Sequence, residues 1–276
     1  MDSKMAVSSA FIWRRVHSLM GFWLIIYLFE HLIVNSQAAL WIGSDGSGFV
    51  HLVNSLESLP FLQVIETVLI GIPLAIHMVW GVHRIFQAKS NAGKTDGTTP
   101  SLGQYSRNRA YTWQRLTSWI LLVGIIAHVV QMRFVHYPKK MHVEGQEKWV
   151  SQIRFDEGLV TLAPRLGVEI ENLSEVNPPR AGNVVDAVSP TIGTAFLLVV
   201  RDAFKSPVQS ILYSIFVLAA AFHALNGFWT FLITWGVILS YRSQRAMIPV
   251  SVIGMGLLSF LGLAAIWGSY WINLRH

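Results

Sequence analysis

The sequence contains no cysteine and few charged residues. Of its 276 residues, only 13% are Asp, Glu, Lys or Arg, whereas 53% are hydrophobic. The absence of cysteine excludes disulfide bonds, thiolate zinc sites and iron–sulfur clusters ligated by this chain. The scarcity of charge excludes an ordinary water-soluble surface, because soluble proteins carry about 25% charged residues. A lipid bilayer is therefore the expected solvent, and any metal needs another ligand, for which ten histidines are available.

Five apolar runs are long enough to cross a bilayer, which takes about 20 helical residues. They cover approximately residues 18–41, 61–86, 112–137, 207–240 and 247–272. The predicted fold class is an all-α membrane protein with five transmembrane helices and a small outer loop domain. We divide the chain into 1–137 with helices one to three, a cap at 138–206, and 207–276 with helices four and five. The apolar clusters "KWVSQIRF" and "TAFLLVVRD" predict short strands in the cap.

The basic residues report the orientation of the chain in the membrane. The loop 42–60 has no Lys or Arg, whereas 87–111 and 241–246 are basic. Basic loops stay on the cytoplasmic side, so the N-terminus is expected there, and an odd number of spans places the C-terminus outside. This distribution accounts for the net charge of +6. No nucleic-acid partner is expected.

Four of the five spans contain one histidine well inside the apolar run: His31, His77, His128 and His223. A single histidine of this kind is usually a hydrogen-bonded core residue. Ionisable residues within spans are rare and mostly functional, so one in each of four helices favours a shared role. Imidazole is a common axial ligand of haem iron, and four histidines allow two bis-histidine sites.

Depth along the helices indicates how these histidines pair. His31 lies roughly 24 Å beyond Arg15 and His128 roughly 20 Å beyond Arg115, so both are expected near the outer side. His77 is roughly 10 Å from Arg84 at the inner face. Depth does not place His223 firmly, and it joins His77 by elimination. We therefore predict two stacked haems, with His31 and His128 outside and His77 and His223 inside.

Glycines accompany three of these histidines. Positions 81, 124 and 227 each lie four residues from one of them, on the same helical face. Glycine there lets a flat macrocycle approach the backbone. Ordinary helix–helix packing through small residues is the alternative explanation.

Several motifs together resemble a known family. They are "RRVHSLMG" at 14–21, "EHLIVN" at 30–35, "FHALNG" at 222–227 and the four histidines in order. The pattern is similar to the five-helix, dihaem cytochrome b subunit of succinate:quinone oxidoreductases, the succinate dehydrogenase and fumarate reductase family. The resemblance implies two haem b groups, and flavoprotein and iron–sulfur partner subunits on the cytoplasmic face of a bacterial inner membrane. It also implies electron relay to menaquinone or ubiquinone.

The resemblance also suggests roles for polar residues at the membrane interfaces. Arg15, His17, His83 and Arg84 are candidate contacts to haem propionates or to a partner subunit. For His17, an interfacial side chain whose ring reaches toward water is an equally good interpretation.

Three residues near the outer side are candidates for a quinone site: Asn35, Glu66 and Arg133. Donors and a protonatable group there would serve quinone chemistry. A structural Glu–Arg pair is the alternative.

The chain itself is not expected to oxidise succinate, because it has no dinucleotide fingerprint and no cysteine. Two other functions stay open. One is a dihaem anchor of a hydrogenase or formate dehydrogenase, and the other is a proton-coupled transporter without haem.

Overall fold

The computed structural model describes residues 8–40, 44–87, 102–143, 145–171 and 180–276. In these ranges, five helical segments are long and apolar enough to cross a membrane: Ser9–Ser36, Leu62–Gln87, Ser106–Val135, Pro207–Thr234 and Tyr241–Asn273. The predicted all-α fold with five spans and a small additional sheet region is therefore confirmed.

The elements follow one another in a simple order. The α-helices are α1 (Ser9–Ser36), α2 (Ser47–Glu57), α3 (Leu62–Glu66), α4 (Ile72–Gln87), α5 (Ser106–Val129), α6 (Gly158–Arg165), α7 (Ile192–Ala203), α8 (Pro207–Thr234) and α9 (Tyr241–Leu263). The strands are β1 (Lys139–Val143), β2 (Gln146–Arg154), β3 (Glu169–Ile170) and β4 (Val184–Ser189). Three π-helical stretches, Thr67–Gly71, Val130–Val135 and Ala264–Asn273, continue α3, α5 and α9.

The helix ends differ from the apolar runs. Helix α1 begins at Ser9, and α9 begins at Tyr241, so the predicted loop 241–246 is helical. Hydropathy detects the part of a helix in hydrocarbon, whereas the backbone continues helically into the polar interface. Helix α8 ends at Thr234 instead of 240, because Gly236 adopts a left-handed conformation with φ of 76° that terminates helices.

Pro73 shapes the second span. A proline has no N–H to donate to the carbonyl four residues earlier, which here is that of Leu69. That carbonyl oxygen instead accepts a hydrogen bond from Trp23 Nε1 of α1 at 2.5 Å. The adjacent backbone widens into the π-helical turn Thr67–Gly71. The proline therefore leaves a carbonyl free to join α1 to the second span.

The segment 138–206 contains, besides α6 and α7, an antiparallel sheet with strand order β1-β2-β4-β3. The cluster "KWVSQIRF" lies largely in β2, as predicted, but "TAFLLVVRD" lies in α7, so its assignment to a strand is wrong. A short apolar run is compatible with a buried strand as well as with a helix, so the composition of this run does not decide between them. The local signal for the helix is Thr191, whose side chain accepts from Thr194 N at 3.2 Å.

The region 42–60, expected as a plain loop, contains α2. Asn54 of α2 accepts from Gly193 N at 2.8 Å and donates to Thr191 Oγ1 at 3.2 Å. A β-carbon on Gly193 would lie 2.5 Å from the carbonyl oxygen of Val50. Helices α2 and α7 therefore approach closely because residue 193 has no side chain.

The chain divides into two compact units. The first comprises Met1–Phe29, Gln63–Val123 and Leu218–Leu257, and the second comprises Glu30–Leu62, Gly124–Val217 and Leu258–His276. The second unit contains the cap and its core, which includes Ile153, Phe155, Leu159, Leu162, Leu197 and Leu198.

An ionic clamp joins the cap to the C-terminal residues within the second unit. The buried Arg201 guanidinium donates to both carboxylate oxygens of Asp156, at 2.7 and 2.8 Å. It also donates to the carbonyls of Leu274 at 2.5 Å and Arg275 at 3.3 Å. Carbonyls at a helix end have no partner within the helix, so Arg201 satisfies them while it holds the carboxylate.

The clamp also sets the protonation of Asp156. Partial burial pushes the pKa of this carboxyl upward, but hydrogen bonds from Arg201 and Lys205 outweigh burial and lower it. A lowered folded-state pKa means that the stability from Asp156 is complete above its ordinary value of 3.8. That stability is lost as the pH falls through the lowered folded-state value.

Replacing Asp156 by Asn should destabilise the cap by about 3 kcal/mol, because it leaves the buried Arg201 charge without its counter-ion. Protease susceptibility of the cap in the purified complex measures this loss as a larger open fraction. Asp45→Asn is the matched control, since its ion pair with Arg165 is partly exposed and should contribute less than about 1 kcal/mol. Equal effects of the two substitutions would show that Asp156 has no special role.

Candidate haem sites

His31 and His128 lie together in the second unit. His31 is on α1 and His128 is near the end of α5, and both side chains are partly buried. Their ring centres are 5.8 Å apart and the ring planes are inclined by 82°. The predicted partners are therefore neighbours across two helices.

His77 and His223 lie together in the first unit, on α4 and α8. Their ring centres are 6.3 Å apart with the planes inclined by 81°. The two pairs have nearly the same geometry although they are built from different helices.

This spacing fits iron coordinated by two imidazoles. The metal lies about 2 Å from each coordinating nitrogen, and each ring centre lies about 1 Å behind its nitrogen, so the ring centres should be about 6 Å apart. No cluster of three or more His, Cys, Asp or Glu side chains suited to a metal ion occurs among the described residues. Two protein ligands for each site fit iron whose remaining positions are supplied by a macrocycle.

The Nδ1 atoms of the first unit's pair already have partners. His77 Nδ1 lies 3.1 Å from the carbonyl oxygen of His17, which only accepts, so Nδ1 carries the proton. His223 Nδ1 lies 3.3 Å from Thr117 Oγ1. That hydroxyl has its own proton engaged with the carbonyl of Trp113 at 2.8 Å. Nε2 of both rings is therefore the unprotonated nitrogen, as metal ligation requires.

The Nδ1 atom of His128 also has a partner, which is a side chain of another helix. Its Nδ1 lies 3.3 Å from the hydroxyl of Tyr213, and that hydroxyl donates to Gln131 Oε1 at 3.0 Å. Because the phenol proton is engaged with Gln131, the phenol oxygen accepts from His128. Three of the four histidines thus present Nε2 for ligation through bonds that join two helices.

His17 is part of the first unit's site. Its ring stacks on His77 with centres 4.0 Å apart and planes inclined by 9°. Its Nδ1 is buried and has no hydrogen-bond partner among the residues that the structure describes. The orphaned nitrogen fits the proposed role of His17 as a polar contact to a bound group such as a propionate.

Gly21 is a site residue that the sequence patterns did not identify. A β-carbon there would lie 2.8 Å from His77 Cε1, so the ring packs directly on the α1 backbone. A glycine four residues after His17 leaves the His17 carbonyl uncovered, which allows His77 to reach it. The signal was present in "RRVHSLMG", where Gly21 follows His17 at that spacing.

The glycines at 81, 124 and 227 have different surroundings. A β-carbon at Gly81 or Gly227 would meet its nearest neighbour at 3.6 Å, an ordinary contact. At Gly124 it would lie 2.4 Å from the ring of Phe216. The face of Gly124 therefore accommodates an aromatic side chain.

The other interfacial candidates make local contacts. His83 Nε2 and Arg84 Nη1 both bond Gln87, at 3.0 and 2.9 Å, and the two side chains are exposed. Arg15 donates to the carbonyl of Thr234 at 3.4 Å. The propionate or subunit roles of these residues stay predictions.

The three quinone-site candidates fall into both units. Asn35 Nδ2 donates to the carbonyl of His31 at 2.8 Å, and the Arg133 guanidinium lies 4.5 Å above the Tyr137 ring. Both residues belong to the second unit, whereas Glu66, at the end of α3, belongs to the first. Asn35 therefore bonds the backbone of its own helix beside His31, and the quinone assignment stays a prediction.

The chain is similar over nearly its whole length to a protein of known role. The succinate dehydrogenase cytochrome b558 subunit of Bacillus subtilis (strain 168) is 30% identical to this chain over 264 residues. The alignment covers 95% of this chain and 98% of that protein. No protein-family profile and no solved structure matches the chain.

Replacing Gly21 by Ala should displace His77 and weaken its iron site, because the new methyl group would overlap Cε1. We expect partial loss of one haem and a changed signal from the remainder, measured by haem quantitation and electron paramagnetic resonance. Gly256→Ala is the matched control, since a β-carbon there meets no atom within 4 Å. A Gly21→Ala protein with unchanged haem content and spectrum would contradict the close packing.

Proposed function

Because this chain belongs to the succinate dehydrogenase cytochrome b family, we propose that it holds two b-type haems and passes electrons through them to a membrane quinone. The chain is a multi-pass membrane subunit of an oxidoreductase complex and is not itself the site of succinate oxidation. His31 and His128 would ligate one haem, and His77 and His223 the other. The pair geometry supports this assignment: two nearly identical pairs, each about 6 Å between ring centres, lie on four separate spans.

Haem iron, when bound, supplies a one-electron carrier. The four imidazoles would provide its axial nitrogen ligands and neutral, partly buried surroundings. His17 O, Thr117 and Tyr213 fix the tautomer and orientation of three of them. Such partners raise the basicity of a ligand and thereby tune its metal.

The partner subunits would dock on the side that carries the N-terminus. In this proposal, the flavoprotein and iron–sulfur subunits lie on the cytoplasmic face of a bacterial inner membrane, beside basic residues such as Arg14, Arg15, Arg84 and Arg107. Membrane lipid would cover the remaining helix surfaces. Lys89 and Lys94, which the basic loop offers for crosslinking, lie outside the described residues.

The quinone, menaquinone or ubiquinone, would bind near the His31 and His128 haem, with Asn35, Glu66 and Arg133 as candidate contacts. An electron that arrives on the cytoplasmic side requires an acceptor after the second haem. Quinone reduction also requires protons, for which Glu66 is the candidate donor.

Two alternative functions receive less support. An anchor of a hydrogenase or formate dehydrogenase would share the buried histidines, but the similar curated protein is a succinate dehydrogenase subunit. A proton-coupled transporter would be colourless. A visible spectrum of the purified complex identifies the transporter, and the identity of the co-purified subunits separates the two kinds of anchor.

Substituting His31, His77, His128 or His223 singly by Ala should reduce the haem content from two per chain to one, because iron loses an axial ligand. Reduced-minus-oxidised spectra with haem quantitation on the purified complex measure this. His51→Ala is the control, since this exposed histidine lies in α2, outside the spans. Retention of two low-spin haems after any one of the four substitutions removes that residue from the ligand set.

Replacing Glu66 by Gln should slow quinone-linked turnover at least tenfold. General acid–base catalysis typically contributes about 10²- to 10⁴-fold, so the loss of a proton donor should be clearly measurable. Haem spectra and dye-linked succinate oxidation should stay unchanged. Glu30→Gln removes another carboxyl group from a span and is the control. Full quinone activity in Glu66→Gln would reject Glu66 as a proton donor and leave the haem assignments intact.

A further inference from the structure

The second unit contains a polar cavity of about 180 Å³ beneath the cap. It is lined by Gln131, His136, Gln152, Arg154, Val199, Asp202, Ala203 and Gln209. Sites for organic ligands are mostly apolar, whereas this lining consists of three amides, an imidazole, an ion pair and two small apolar side chains. The chemistry of the lining therefore favours water.

One lining group specifically requires a small polar partner. Gln209 Nε2 is buried and has no hydrogen-bond acceptor among the residues that the structure describes. A buried donor of this kind is normally satisfied by protein or by an ordered water. Since a water molecule takes up about 30 Å³ in the liquid, the cavity has room for several of them.

A chain of side chains leads from this cavity to His128. Gln131 lines the cavity and accepts from the Tyr213 hydroxyl at 3.0 Å, and this hydroxyl lies 3.3 Å from His128 Nδ1. The phenol ring also packs against the His128 ring, with centres 5.8 Å apart. Tyr213 is therefore both a hydrogen-bond acceptor and a lateral support for this imidazole.

Within the described part of the chain, the partners of His77 and His223 differ from that of His128. His77 bonds the backbone carbonyl of His17, and the Thr117 hydroxyl beside His223 donates to carbonyls of its own helix. In both cases the hydrogen bonds end at backbone carbonyl oxygens. The partner of His128 is thus a side chain bonded to a cavity-lining residue, whereas the partners of the other two histidines lead to backbone.

We propose that Tyr213 is a positioning residue that holds His128 for iron ligation and, through Gln131, connects this ligand to a water-filled cavity beneath the cap. The inference rests on the proposed haem between His31 and His128. An acceptor on Nδ1–H makes the imidazole more basic, which favours ferric over ferrous iron. Removing the acceptor should therefore raise the midpoint potential of this haem.

The test uses Tyr213→Phe in the complete complex, which removes one oxygen atom and keeps the ring. Both haems should be retained. The ferrous-to-ferric ratio of the His31 and His128 haem at a fixed potential should rise roughly tenfold, equivalent to about 59 mV for one electron. The other haem should not shift. Potentiometric titration monitored by visible and electron paramagnetic resonance spectra gives both values.

Tyr270→Phe is the matched control, because it removes a phenol oxygen from the same unit outside this chain of contacts. Thr117→Val is the reciprocal variant and should shift only the haem of His77 and His223. Gln131→Leu removes the acceptor of the Tyr213 hydroxyl and should shift the first haem in the same direction by a smaller amount.

The outcomes separate the two levels of the proposal. A wild-type complex that lacks a bis-histidine haem at His31 and His128 would reject the proposed function. Two intact haems with unchanged potentials in both Tyr213→Phe and Gln131→Leu would reject only the role of Tyr213. If Tyr213→Phe does not assemble, Gln131→Leu alone decides the question by the same shift.

Discussion

An imidazole placed in an apolar helix must find a partner for its polar hydrogen, and this requirement organises much of the structure. Hydrocarbon offers no acceptor, so an unsatisfied N–H there costs on the order of several kcal/mol. The partner lies on a different helix from its histidine in three cases: the His17 carbonyl on α1 bonds His77 on α4, Thr117 on α5 bonds His223 on α8, and Tyr213 on α8 bonds His128 on α5. The same bonds that satisfy these rings therefore join the helices that carry them.

The cap follows the physical rules of a water-soluble domain. It has a compact apolar core and an antiparallel sheet, and its strongest polar feature is the Asp156–Arg201 clamp. Because Arg201 also binds the carbonyls of Leu274 and Arg275, the cap lies on the same side as the C-terminus.

The span number and the histidine pairs were predictable because they depend on strong, local or periodic signals. Composition identified the bilayer, depth along the spans placed His31, His77 and His128, and elimination paired His223 with His77. The outcome at "TAFLLVVRD" shows the limit: a short apolar run fits a buried strand as well as a helix, and this helix depends on the Thr191 cap and on packing against α2. Thr117 and Tyr213 were not identified because each bonds a histidine on another helix, and such an approach in space is not revealed by any spacing within one helix.

The two ligand sites have nearly equal ring geometry but depend on different parts of the chain. At His77 the acceptor that orients the ring is a backbone carbonyl. At His223 it is the Thr117 hydroxyl, which donates to a backbone carbonyl of its own helix. Both sets of bonds therefore end at backbone atoms. At His128 the acceptor is a phenol whose own partner, Gln131, lines a cavity bounded by cap residues Gln152 and Arg154. A change in cap packing would therefore reach the cavity lining to which Gln131 belongs. In the proposed function, the cap is structurally linked in this way to the site of His31 and His128, and has no such link through the partners of His77 and His223.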